Sequence, residues 1–90
     1  MTALLLPGHD LIHDGIADLA RGVESVSALL VSIGAPRLRR AGLSLSPPVP
    51  SPEHRLYTLL SRADPATAHS RYNALIRRLV SFERALECAS

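Results

Sequence analysis

The sequence predicts an all-α fold: a small four-helix, bundle-like domain in which two helical hairpins are joined by a Pro-rich connector and the C-terminal helix is long. Three observations carry this. From Asp64 to Glu87, the residues Ala68, Tyr72, Leu75, Leu79, Phe82 and Leu86 recur at alternating spacings of four and three, the pattern of a helix with one apolar seam. The stretch from Ser44 to Pro52 holds four prolines and three serines, so it separates the helix-period segments before it from those after it. The chain is 47% hydrophobic but 3% aromatic, which leaves Leu, Val, Ile and Ala to build the core, as helical bundles do.

The first helix is expected from about Asp10 to Arg21. Ile12, Ile16, Leu19 and Val23 line one face, while Asp10, Asp14, Asp18 and Arg21 line the opposite one. Asp10 would cap its start, and Gly22 is its natural stop. The second begins near Ser25 and carries Val26, Leu29, Leu30, Val31 and Ile33. Apolar around most of its girth, it should be the most buried helix. Gly34, Ala35 and Pro36 are expected to break or kink it, with one further turn from Pro36 to Arg40 before Gly42 closes it.

Residues 44–52 read as an extended connector, too short to link separate domains, so residues 1–90 form one domain. Ser51, Pro52 and Glu53 then give a helix start: an N-cap serine, a proline at the first position and a carboxylate at the positive end. The third helix runs from about Pro52 to Arg62 and buries Leu56, Leu59, Leu60 and Ala63. Asp64 and Pro65 supply the start of the fourth. The second and fourth helices should form the core.

A chain of this size buries roughly two thirds of its unfolded surface, so stability is marginal and self-association is a common remedy. Ten arginines and no lysine give a formal net charge of +2, too modest an excess to point to nucleic acid by itself. Cys88 is the one cysteine, which rules out an intrachain disulfide or a cysteine-based zinc cage and fits a reducing compartment. The opening residues 1–7 lack the charged start and long apolar stretch of a secretory signal, and the apolar run 28–31 is too short to span a bilayer. A soluble cytoplasmic protein with no membrane partner is expected.

Four constellations bear on chemistry. His9 and His13, four apart on one helix, are the nearest thing to a metal site, but two ligands need a third, brought by folding from Glu53, His54 or His69. No metal or other cofactor is therefore expected. The segment Arg62-Ala63-Asp64-Pro65-Ala66-Thr67-Ala68-His69 resembles the R-x(4-6)-H signature of HEPN ribonucleases. That resemblance implies a histidine acting on the ribose 2′-hydroxyl or leaving oxygen and an arginine stabilising phosphate charge across a helical dimer. The helix pair around Asp64 also resembles a helix-turn-helix, whose second helix would offer Ser70, Asn73, Arg77 and Arg84 to DNA. Cys88 has no histidine or acid placed to activate it, and no nucleophile elbow or phosphate loop is present.

The seam is the fourth constellation. With Tyr72 and Leu79 at heptad position a and Leu75 and Phe82 at d, Arg78 at g would meet Glu83 at e of a parallel partner. Ile76 and Val80 widen the apolar face, as packing among several helices requires. Tyr72, Leu75, Ile76, Leu79, Phe82 and Leu86 are thus either internal core or an interaction seam. The leading reading is a regulatory or protein-interaction protein without catalytic activity, paired with itself or with another protein. A helix-turn-helix DNA-binding protein and a HEPN-like ribonuclease are the alternatives.

Overall fold

The computed structural model describes residues 6–89. Among them are four helices and no strand: α1 (His9–Ala20), α2 (Val26–Arg40), α3 (Pro52–Ala63) and α4 (Ala68–Ala89). Residues 1–5, part of the stretch read above for a secretory signal, and Ser90 lie outside the described residues. Among the described residues no helix is long and apolar enough to cross a membrane.

The chain forms two hairpins. Along α1 and α2 the facing residues run in opposite order, Asp18 meeting Ser25 and Gly15 lying against Ser27 and Val31. Along α2 and α4 they run in the same order, Gly34 against Leu79 and Arg37 against Glu83 and Glu87. Helix α2 touches each of the other three and is the hub; the expected core of the second and fourth helices is joined by residues of α1 and α3. It buries Ala28, Leu29, Leu30, Val31, Ala35 and Leu38 completely. Ile12 and Leu19 from α1, Leu56 and Leu60 from α3, and Ala68, Leu79 and Phe82 from α4 close around it.

The two helix stops read from glycine are present. Gly22 and Gly42 have φ of 74° and 107°, a region costly for any residue with a Cβ. In each case the next residue's N–H bonds back across the last turn, Val23 to the Asp18 carbonyl at 2.8 Å and Leu43 to the Leu38 carbonyl at 3.1 Å. These bonds satisfy carbonyls that a helix end otherwise leaves open.

Other local expectations are corrected. Helix α2 runs through Pro36 without a break. Proline in a helix interior costs about 3 kcal/mol, but ending the helix there would both strip Leu38 from the core, where burying a leucine is worth about 1.5–3 kcal/mol, and displace Arg37 from Glu83 and Glu87. Pro36 itself faces solvent. Ser51 occupies the N-cap position of α3 with φ 50° and ψ 50°, and its side chain makes no cap bond. In that left-handed conformation the hydroxyl is not aimed at the helix N–H groups as an extended N-cap's is. Helix α1 starts at His9 with Gly8 as N-cap, so Asp10 lies inside the first turn and caps nothing.

Val23 falls beyond the end of α1 and is 44% exposed, and Ala63 is exposed at the end of α3. Helix α4 begins at Ala68 because Asp64 and Pro65 are used to reverse the chain. The Asp64 carboxylate accepts from the Ala66 N–H at 3.1 Å and its carbonyl accepts from the Thr67 N–H at 3.2 Å.

Candidate functional site

Helix α4 presents two opposed faces. At 100° per residue Ser70, Asn73, Arg77 and Arg84 fall within one narrow sector, and Tyr72, Leu75, Leu79 and Leu86 lie across the helix axis from them. The fold covers the apolar seam unevenly. Ala68, Leu79 and Phe82 are buried, whereas Tyr72, Leu75, Ile76 and Leu86 pack against the core but stay half-buried. Tyr57 of α3 extends this margin: it is 41% exposed, with its ring centroid 5.8 Å from that of Tyr72. Burial, and then the charge of Glu53, raise the Tyr72 phenol above its ordinary value.

The expected rim contact between Arg78 and Glu83 of a partner is corrected. Glu83 is 5% exposed and turned toward α2, where its Oε1 accepts from Arg37 Nη1 at 3.3 Å. Arg37 also donates from Nε and Nη2 to the two oxygens of Glu87, at 2.7 and 2.8 Å. Burial pushes the Glu83 carboxyl up against the pull of Arg37, while the Arg37 hydrogen bonds hold Glu87 below the usual glutamate range. This clamp ties α2 to α4 across 46 and 50 residues of sequence. Glu83 and Glu87 carry like charges four apart on one helix, an arrangement that calls for a cation between them. That was the sequence signal for it.

A second latch closes the first hairpin. Ser25 Oγ donates to Asp18 Oδ2 at 2.7 Å and accepts from the Ala28 N–H at 3.1 Å, while Arg21 donates to Asp18 Oδ1. These bonds, that from Ser25 first, lower the Asp18 pKa. Asp18 and Arg21, expected on the face opposite the apolar one, are tied to the turn.

On the polar face, Ser70, Arg77 and Arg84 are exposed and Asn73 is half-buried, its Nδ2 lying 3.2 Å from His69 Nε2. Arg77, Arg78, Ala74 and Ser81 line an open cleft of about 360 Å³ with Pro7 and Gly8. A second cleft of about 270 Å³ is lined by Glu24, His54, Arg55, Thr58, Leu59 and Arg62, with Arg55 paired to Glu24 at 2.7 Å. Arg62 thus lines a cleft that His69 does not. His9 and His13 stack with centroids 5.5 Å apart, and among the described residues no third ligand joins them in a cluster able to hold a metal ion. Cys88 is exposed in the last turn of α4. No family model, curated protein or solved structure matches the chain.

Proposed function

We propose that this chain is a non-catalytic regulatory protein of the cytoplasm that works through protein–protein contact, with a second copy of itself as the partner along the α3–α4 face. The observation supporting this is the half-covered seam. Tyr72, Leu75, Ile76 and Leu86 are apolar, periodic and only partly buried, and the exposed Tyr57 continues the same surface. Aromatic side chains with one wet edge are characteristic of interface cores. Light scattering over a concentration series tests it: the mass should rise to twice the 9.7 kDa of one chain. Tyr57→Glu, a change at an exposed position, should return the protein to the monomer while leaving its helix content intact. A monomer mass at every concentration refutes the pairing.

One observation favours a second reading, DNA binding. Arg77 and Arg84 are exposed on the face that also carries Ser70 and Asn73, beside the cleft that Arg78 and Ser81 help to line. Under this reading Arg77→Ala with Arg84→Ala weakens binding and flattens its salt dependence by about 0.9 for each phosphate no longer neutralised. Absence of any affinity for duplex DNA at low salt ends it.

A further inference from the structure

The connector between α2 and α3 has more structure than its lack of helix suggests. Pro47, Pro48 and Pro50 have φ fixed near −65° by their rings, and the residues that precede prolines are driven from the helical region toward extended or polyproline II geometry. Between Ser46 and Pro50 exposure matches a spacing of three: Ser46 and Val49 are half-buried, whereas Pro47, Pro48 and Pro50 are exposed. Three residues per turn is the period of polyproline II, so one ridge of the ribbon lies on the protein and two face outward.

The inward ridge is fastened to α2. The Val49 N–H donates to Ser32 Oγ at 3.0 Å, and Ser32 Oγ itself donates to the Ala28 carbonyl at 2.9 Å. Ser32 is 4% exposed, so this anchor is buried. At the amino end Arg39 Nη2 donates to the Ser46 carbonyl at 3.1 Å. Val49, Leu43 and Leu45 pack against the core. The ribbon is held in shape before anything binds it.

Its hydrogen-bonding capacity is one-sided. Pro47, Pro48 and Pro50 have no N–H, and the N–H of Val49 is taken by Ser32. From 47 to 50 the backbone therefore offers acceptors and no free donor. Among the described residues no hydrogen bond is made to the carbonyls of 47–50. A partner that adds a β-strand needs donors from the peptide as well as acceptors, so strand addition does not fit. What fits is a groove lined by aromatic rings, whose faces take proline rings and whose Trp N–H or Tyr O–H groups donate to the bare carbonyls.

We propose that residues 46–50 form a pre-shaped polyproline II ligand for a partner domain with an aromatic-lined groove, Pro47 and Pro50 being the paired anchors on one outward ridge. This surface is distinct from the α4 seam. Fixing the ribbon in advance removes most of the ordering cost that a free proline-rich peptide meets on binding.

The test is a titration of the intact chain against a panel of isolated SH3, WW and EVH1 domains, followed by NMR. At least one domain is expected to bind, with chemical-shift changes on the wild-type chain centred on 46–50. Pro47→Ala with Pro50→Ala should weaken binding about tenfold or more, as removing central anchors does. Ser32→Ala keeps every proline but frees Val49, and should weaken binding by roughly threefold to tenfold through lost pre-organisation. Tyr57→Glu should leave binding unchanged, which separates this surface from the dimer face. The inference is overturned if no panel domain binds, or if the shift changes centre elsewhere than 46–50. Binding that survives the double proline substitution overturns it as well.

Discussion

Gly15→Ala is the perturbation that asks most of this fold. In an isolated helix the change should help, because alanine is favoured over glycine by about 1 kcal/mol in a helix interior. Here a Cβ at position 15 would fall on the carbonyl oxygen of Ser27 and 2.5 Å from Val31 Cγ2. An ordinary carbon–carbon contact is about 3.5–4.0 Å, so α1 and α2 would have to part by about 1 Å, and a backbone carbonyl inside a helix has no rotamer to retreat into. Overpacking of this kind costs up to about 3 kcal/mol. Set against the propensity gain, the net is a destabilisation of about 2 kcal/mol, which for a domain of this size lowers Tm by about 8–16 °C. Thermal unfolding followed by circular dichroism reads it directly. Gly34→Ala is the control, since a Cβ there meets the ends of the Leu79 and Glu83 side chains at 2.8 Å and not a backbone atom. It should change stability by less than about 1 kcal/mol. If Gly15→Ala proved more stable than the wild type, helix propensity alone would govern the site and the close approach of α1 to α2 would be refuted.

Three other perturbations follow from local geometry. Leu38→Ala should cost about 2–5 kcal/mol, because Leu38 is fully buried in a helix that continues past Pro36; a loss below about 1 kcal/mol in urea unfolding would mean the helix ends at the proline. Ser51→Gly should raise the urea midpoint, since a left-handed residue with a Cβ bears about 1–2 kcal/mol of strain and the serine hydroxyl supplies no cap in return. A lowered midpoint would show that the side chain matters to α3. Glu83→Gln addresses pH: the folded-state pKa of Glu83 is raised, so its ionisation lowers stability as pH climbs from the ordinary glutamate value through the folded one, while Glu87, depressed by Arg37, loses its contribution as pH falls. The variant's stability relative to the wild type should therefore climb as pH rises above the ordinary glutamate value, and a flat difference would contradict the burial of Glu83 beside Arg37 and Glu87.

What the sequence disclosed was whatever depends on period and punctuation. Ile12, Leu19, Leu29, Leu30, Val31, Leu56, Leu60, Leu79 and Phe82 sit at helix spacing and are buried, and Gly22 and Gly42 stop the helices as their positive φ allows. What it concealed depends on contacts between distant segments. Gly34-Ala35-Pro36 reads locally as a break or a kink followed by one more turn, yet α2 touches all three other helices and runs unbroken to Arg40, with Leu38 buried. Asp64-Pro65 reads as a helix start, yet two hairpin arms have to be turned before α4 can begin, and the Asp64 side chain is used in that turn. Ser32 and Val49 gave no signal, because a buried serine in an apolar helix shows its purpose only once the connector is laid across it. The same holds for the candidate site. The faces of α4 were legible from periodicity; the half-burial of the seam, the capture of Glu83 by Arg37 and the separation of Arg62 from His69 into different surroundings were not.

The half-covered seam has a cause in helix length. At 1.5 Å per residue the 22 residues of α4 extend roughly 33 Å, against about 22 Å for the 15 residues of α2 and about 18 Å for the 12 of α3. Neither neighbour is long enough to cover α4 alone, so they divide it. Helix α3 takes the first turns, where Tyr57 meets Tyr72, and α2 takes the later ones, where Gly34 admits Leu79 and Arg37 binds Glu83 and Glu87. Leu75 and Ile76 fall at the handover between the two supports, and Leu86 lies beside the Arg37 clamp at the far end. A fifth helix in the chain would have closed these gaps. Under the proposed self-association, a second α4 would be the helix whose length and apolar period match the uncovered strip. Tyr57 then becomes the discriminating residue. It stands on α3 outside the seam, with its ring beside that of Tyr72, and under this proposal it would matter to assembly more than to the fold of one chain.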